Sequence, residues 1–261
     1  MKKIVAIIPA RMASSRFFGK PLTPILGIPM IEYIRRRVAL AKRIEEVYVA
    51  TCDREILETI EQYGGKGVMT SAVHERCTDR VEEALTKVEA DAVLIVQGDE
   101  PLIIPETLDY FIGQSLKAED NIFCANLVVS IQNQAEWENP DIVKVVLNTQ
   151  KNIMYMSRSS IPYFKTFLEV QVYKQTGISI FTKSFLHLYS QLKPTPLEKL
   201  ESIDFLRILE HQYQIRGVLS SDLSIGVDRL EHVSNVERLL TTHEVQKRVH
   251  GQIKHMKQSL S

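Results

Sequence analysis

Residues 4–8 read Ile4-Val5-Ala6-Ile7-Ile8, an apolar run with no polar face to offer to water. A strand of this kind must be covered on both sides, which is the situation of parallel strands in α/β folds. The pattern returns at Val47-Tyr48-Val49-Ala50-Thr51, at Gly67-Val68-Met69-Thr70 and at Ala92-Val93-Leu94-Ile95-Val96. Helix signals stand between these runs. Pro29-Met30-Ile31-Glu32-Tyr33-Ile34 places proline in a first turn, and Asp53 stands at an N-cap with Gly64-Gly65 ending that helix near Tyr63. A further helix is expected from about Asp79 to Val88, and Pro105 opens another. The βαβα order predicts an α/β fold with a doubly wound, mostly parallel sheet.

Beyond about residue 120 the pattern changes. Ile122 to Val129 and Ile142 to Leu147 read as strands with no long helix between them, and Asn139-Pro140-Asp141 is a turn signal. Tyr155 to Tyr173 reads as loop, with Pro162 and the aromatics Tyr155, Tyr163, Phe164 and Phe167. Strand Gly177 to Phe181, helices Lys183 to Leu192 and Leu200 to His211, strand Ile215 to Leu219 and a final helix Leu230 to Val249 complete the expected order. The segment 120–180 reads as an insertion or flap and as a candidate subunit interface. Neither a repeat nor a low-complexity tract is present, and Lys254 to Ser261 reads as a frayed tail.

At 261 residues the chain suits a single domain, 1–261, with a modest insertion. Lys+Arg and Asp+Glu both number 32, so no bulk basic field exists to hold nucleic acid, and anion binding must be local. The three cysteines, Cys52, Cys77 and Cys124, fit neither a disulfide framework nor zinc-ligand spacing, which points to a reducing cytoplasm. The N-terminal apolar run is too short for a signal h-region, and no run is long enough to span a bilayer, so no membrane partner is expected.

Chemistry concentrates at the ends of the apolar strands, where open α/β sheets bind ligands. The first is followed by Pro9-Ala10-Arg11-Met12-Ala13-Ser14-Ser15-Arg16-Phe17-Phe18-Gly19-Lys20-Pro21-Leu22. Three cations and two serines beside backbone N–H groups make a receptacle for a polyanion, most simply a triphosphate. The loop is neither a Walker A motif nor a dinucleotide fingerprint, and a solvated basic loop is the bland alternative. The strand ending at Val96 runs into Gln97-Gly98-Asp99-Glu100-Pro101, which presents a carboxylate suited to magnesium but would also serve as a plain turn. Ile225-Gly226-Val227-Asp228 places another carboxylate before the last helix, where an N-cap is the simple reading. Asp99 and Asp228 gain weight as a pair, because one metal needs more than one carboxylate to compete with water. The Arg35-Arg36-Arg37 run reads as the solvated face of the first helix, and Trp137 as packing.

With those placements the chain resembles the CMP-3-deoxy-manno-octulosonate (Kdo) cytidylyltransferases, from about residue 3 to 240. The matching runs are the Pro9–Leu22 loop, Gln97 to Pro101 and Gly226-Val227-Asp228. Val143-Lys144-Val145-Val146, Ser157-Arg158-Ser159-Ser160-Ile161-Pro162 and Pro196-Leu197-Glu198 with Leu206-Arg207 also match. The first run is shared with other sugar nucleotidyltransferases; the later ones narrow the match. The resemblance implies a nucleotide-diphospho-sugar transferase-like, Rossmann-type mixed sheet with a small dimerisation subdomain. It further implies CMP transfer from CTP to an acidic sugar, magnesium as cofactor, a homodimer and a place in lipopolysaccharide biosynthesis. Carried over, Arg11, Lys20, Asp99 and Asp228 would be catalytic, with Asp99 and Asp228 holding the metal. Ala10, Arg11, Ser15, Arg16, Lys20, Thr70, Ala72, Thr78 and Arg80 would meet the nucleotide. Gln97, Arg158, Gln175, Ser179 and Asp204 would meet the sugar, Arg158 as a fork for its carboxylate.

The chain departs from the family pattern on the sugar side. Where that pattern has His-x-Gly-x-Tyr, this chain has Gln175-Thr176-Gly177-Ile178-Ser179, and Asp204 stands for a glutamate. Ser179 opens the space of a phenol ring, so the expected acceptor is a different or larger acidic sugar, with ordinary drift as the alternative. An amino-octulosonate, a nonulosonate, a phosphonate or a non-catalytic nucleotide-binding role are the other readings. Near the nucleotide, His74-Glu75-Arg76-Cys77-Thr78-Asp79-Arg80 lacks the glycine of the pattern, and Phe17-Phe18 replaces Leu-Pro in the phosphate loop.

Overall fold

The computed structural model describes residues 3–13, 17–74, 76–115, 123–164, 171–222, 226–227, 229–254 and 256. The chain divides into two compact units, Met1–Tyr110 with Leu223–Ser261, and Phe111–Asp222. Among the described residues no helix is long and apolar enough to cross a membrane.

The first unit is the βαβα half. Its strands are β1 (Ile4–Ala10), β4 (Glu46–Thr51), β5 (Lys66–Met69) and β6 (Ala92–Val96), and all of their mutual pairings are parallel. β1 pairs with both β4 and β6, and every one of its residues is buried, as its sequence requires. Helices α1 (Met30–Ala39), α2 (Arg54–Gln62) and α3 (Cys77–Thr86) alternate with these strands, and α4 (Pro105–Ser115) carries the chain into the second unit. Between the first loop and α1 lies a hairpin of β2 (Pro24–Ile25) and β3 (Ile28–Pro29) that the sequence did not announce. Its two-residue turn needs positive φ at both Leu26 (47°) and Gly27 (83°). Pro29 therefore precedes α1 instead of sitting inside its first turn.

The expected final helix is two helices, α9 (Glu231–Thr242) and α10 (Glu244–Lys254), broken at His243, whose backbone is extended. The arginine run is not a solvated face. Arg36 is 4% exposed and Arg37 fully buried. Arg36 Nε donates to Glu32 Oε1 at 2.6 Å, and Arg37 donates to the Ile103 carbonyl at 2.7 Å and to Gln246 Oε1 on α10 at 2.5 Å. Burial pulls the Arg37 guanidinium down to about 10. These arginines tie α1 to α10 and to the loop before α4, because a buried guanidinium needs hydrogen-bond partners, although Arg37 Nη1 has none among the described residues.

The second unit is mixed. β7 (Cys124–Ser130) pairs with β11 (Arg216–Ser220) in parallel and with β10 (Tyr173–Thr182) antiparallel. β8 (Lys144–Leu147) joins β10, and β9 (Ile153–Ser157) joins β8. β9 falls in the stretch expected to be loop. Short helix α5 (Gln134–Glu138) and helix α6 (Lys183–Gln191) accompany the sheet. The helix expected from Leu200 to His211 is two helices, α7 (Pro196–Glu201) and α8 (Phe205–Glu210). They are separated by Ser202 in a left-handed conformation, φ 53°. Arg207 of α8 forks onto Glu198 of α7 at 2.8 and 2.6 Å, so the pair is held as a folded corner.

β1 sits at the centre of its unit, and Ile8 is fully buried. Ile8→Ala is expected to lower unfolding free energy by about 2–5 kcal/mol, measured as a shift in urea midpoint at unchanged slope.

Candidate active site

The parallel pairings of β1 with β4 and β6 bring three carboxyl ends to one edge. There Ala10 lies opposite Thr51, and Gln97 to Glu100 turn back with the Glu100 N–H on the Gln97 carbonyl at 3.3 Å. Gly98 is at the crossing point: a Cβ there would stand 3.1 Å from the Pro9 carbonyl oxygen and 3.5 Å from Ile31 Cδ1. Its missing side chain lets the β6 turn close onto β1. Lys20 Nζ then donates to Asp99 Oδ2 at 2.8 Å, with the two side chains 14% and 30% exposed. Asp99 Oδ1 has no partner among the described residues. The Val227 N–H donates to the Asp99 carbonyl at 2.9 Å, so the backbone of Gly226-Val227 lies against the same turn. Asp228, Ser15 and Arg16 lie outside the described residues.

The basic loop has a closed neck. The Gly19 N–H donates to the Met12 carbonyl at 3.1 Å, and Gly19 adopts φ 73°, which starts the 3₁₀ turn Lys20–Leu22 with Lys20 turned to the strand ends. Asp53, expected as the α2 N-cap, makes no capping bond; its Oδ2 takes the Met12 N–H at 2.8 Å. A carboxylate from the end of β4 thus anchors the loop's entry. Arg11 is exposed beside this anchor. Among the described residues no three His, Cys, Asp or Glu side chains gather as a metal cluster. What the described residues do offer a cation is the open oxygen of Asp99, a hard oxygen donor of the kind magnesium takes.

The segment after β5 is built from α3. Arg80 is 3% exposed and donates to Thr70 Oγ1 at 2.6 Å and to the Ser71 carbonyl at 3.3 Å. Arg80 therefore braces the loop from behind. Thr78 is buried on the same helix turn, whereas Ala72 is exposed at the loop tip. Gln97 Nε2 donates to Cys77 Sγ at 2.9 Å, linking the β6 turn to the start of α3. Glu83, not singled out from sequence, accepts the Ser71 N–H at 2.8 Å and meets His74 Nε2 at 2.5 Å and Lys87 Nζ at 3.2 Å. The Ser71 N–H above all, then His74 and Lys87, hold its carboxyl at about 2 against the partial desolvation that opposes them. Its spacing of three from Arg80, on one helix face, was the available signal.

The second unit carries the other expected residues. Arg158 donates through Nε to the Glu201 carbonyl at 2.8 Å and through Nη1 to the Pro140 carbonyl at 3.1 Å. Its backbone N–H meets Glu201 Oε2 at 2.9 Å, and Ser157 Oγ meets Oε1 at 2.5 Å. Lys144, fully buried in an apolar strand, donates to the carbonyls of Asn139, Ile142 and Arg158 at 2.7, 2.9 and 2.7 Å. Burial, and then the Arg158 charge, lower its pKa, with Glu201 opposing. A lysine inside the run Val143-Lys144-Val145 was the sequence signal for this staple. Ser179 is 7% exposed, and Gln175 is half-buried, on either side of a β-bulge in β10. Asp204 precedes α8 as its N-cap residue without a capping bond.

A family model described as cytidylyltransferase matches residues 5–223. The chain is 38% identical over 254 residues to the 3-deoxy-manno-octulosonate cytidylyltransferase of Geobacter metallireducens, covering 93% of this chain and all of that protein. It is also 38% identical over 240 residues to the 8-amino-3,8-dideoxy-manno-octulosonate cytidylyltransferase of Shewanella halifaxensis, covering 91% and 98%. A solved structure of CMP:2-keto-3-deoxy-manno-octonic acid synthetase complexed with CTP aligns at TM-score 0.86 and 36% identity, covering 92% of this chain and 98% of the other.

The Glu83 carboxylate stabilises the 70–74 loop only while ionised. Its folded pKa is depressed, so the stabilisation is complete above about 4.5 and is lost as pH falls towards about 2. Amide exchange at Ser71, corrected for intrinsic rate, is expected to lose protection across that window, and Glu83→Gln is expected to remove the pH dependence.

Proposed function

This chain belongs to the cytidylyltransferase family, and we propose that it transfers CMP from CTP to the anomeric hydroxyl of a 3-deoxy-octulosonic acid, Kdo or its 8-amino analogue, releasing pyrophosphate. The observation that carries this reading is the Lys20–Asp99 pair at the strand ends. A cation and a carboxylate already in contact satisfy each other without ligand and separate into two tasks when a metal-bound triphosphate arrives. Lys20 then serves the phosphates, and Asp99 serves the magnesium.

The sugar oxygen attacks the α-phosphorus in line, the α–β anhydride bond breaks, and charge grows on the leaving pyrophosphate. Arg11 and Lys20 stabilise that charge, joined by Ser15 and Arg16 of the same loop. Asp99 and Asp228 hold magnesium, which when bound neutralises phosphate charge. The Val227 N–H on the Asp99 carbonyl supports the pairing, since it ties the residue before Asp228 to Asp99. Ala10, Thr70, Ala72 and Thr78 face the nucleoside, with Arg80 as the brace that shapes their loop. Gln97, Arg158, Gln175, Ser179 and Asp204 receive the sugar. Arg158 keeps Nη2 free of partners among the described residues, so it can still meet a carboxylate while Nε and Nη1 hold it in place. The reading carries with it a cytoplasmic homodimer, for which sedimentation velocity is the direct measurement.

Asp99→Asn is expected to cut magnesium-dependent pyrophosphate release from CTP and either sugar by at least about a thousand-fold. An unchanged rate would remove the metal role given to Asp99. Gly98→Ala is expected to lower kcat about ten-fold or more at nearly unchanged melting temperature. The new Cβ presses on the Pro9 carbonyl and moves Asp99 away from Lys20.

A further inference from the structure

Two classes of relative share one level of identity with this chain, and their sugars differ by an amino group in place of a hydroxyl. A polar pair inside the second unit bears on that choice. Asn126, fully buried on β7, donates both amide hydrogens across to the bulge of β10, to the Thr176 carbonyl at 3.2 Å and the Ile178 carbonyl at 2.9 Å. The reverse amide orientation would set Oδ1 against two carbonyl oxygens, so the orientation is forced. Oδ1 is left buried with no hydrogen-bond partner. An unsatisfied buried acceptor of this kind is uncommon and calls for a donor.

The residue directly opposite Asn126 in the register is Ser179. Opposed residues of an antiparallel pair share a face, with Cβ atoms about 5 Å apart. The Ser179 hydroxyl is thus the donor that the register sets opposite Asn126. Phe181, two residues on and on the same face, stacks against Phe205 with ring centroids 5.9 Å apart. Asp204 immediately precedes Phe205 at the start of α8.

We propose that Asn126 acts as a positioning residue that makes Ser179 an acceptor, and that this pair, with Asp204, selects an amino-bearing octulosonic acid over its hydroxyl counterpart. The Ser179 hydrogen goes to Asn126 Oδ1, and only lone pairs then face outward. An ammonium group brings donors and no acceptor, matching those lone pairs, and the Asp204 carboxylate offsets its charge. A hydroxyl supplies one weaker donor. The inference rests on the functional reading above.

Pyrophosphate release by the full chain with CTP and magnesium is compared for Kdo and 8-amino-3,8-dideoxy-manno-octulosonate. The expected result is a kcat/KM about ten-fold or more higher for the amino sugar. Ser179→Ala is expected to bring the ratio close to one by raising the amino-sugar KM, with the KM for CTP unmoved. Asn126→Thr is expected to shift the ratio the same way. Should that variant fail to fold, Ser179→Ala, which leaves the Asn126 bonds to β10 intact, carries the test. A wild-type ratio at or below one, or a ratio that Ser179→Ala leaves unchanged, overturns the proposal while the functional reading stands. Absence of turnover with both sugars overturns the two together.

Discussion

Strand β1 has no exposed residue, and its pairings on both sides are parallel. A strand that cannot face water at any position must be central, and parallel neighbours must end at the same edge as it does. This places Pro9-Ala10, Thr51 and Gln97 to Asp99 together before any polar contact forms. The Lys20–Asp99 pair depends on that edge, and so does the anchoring of the basic loop by Asp53. The clearance at Gly98 is narrow, since any side chain there would press on the β1 backbone.

Buried polar groups do most of the positioning. Arg80 and Glu83 shape the 70–74 loop from beneath, Lys144 gathers three carbonyls around Arg158, and the Arg207–Glu198 fork fixes the corner between α7 and α8. None is an isolated buried charge, because each is matched by carbonyls, hydroxyls or an opposite charge, as the cost of burying charge demands. Not every buried polar atom is met: Arg37 Nη1 and Asn126 Oδ1 are among those with no hydrogen-bond partner among the described residues. Asn126 lies opposite Ser179 in the register of β7 and β10.

The parallel half of the fold and the residues at its strand ends were legible in the sequence. Apolar runs buried on both faces leave one arrangement, and cations or carboxylates directly after such runs can only sit at the carboxyl edge. Gln175, Ser179 and Asp204 could be singled out from the sequence because they stand within motifs that resemble those of the family. Less legible were the places where local signals admit two outcomes. Asp53 reads as a cap and serves as an anchor, and Tyr155 reads as loop and lies in β9. The helices expected from Leu200 to His211 and from Leu230 to Val249 each break in two at residues with no strong breaker chemistry, Ser202 and His243.

Composition and periodicity thus decided which segments had to be buried and in what order they alternate, since removing apolar surface from water depends on little else. Only the tertiary structure decided what the polar residues do. The Arg35-Arg36-Arg37 run looks solvated by its charge, yet Arg36 and Arg37 are buried, because Ile103, Gln246 and Ile253 arrive from distant parts of the chain to join Glu32 of the same helix. Hydrogen bonds are directional and short, so their partners exist only once separate strands and helices have been brought within about 3 Å of one another.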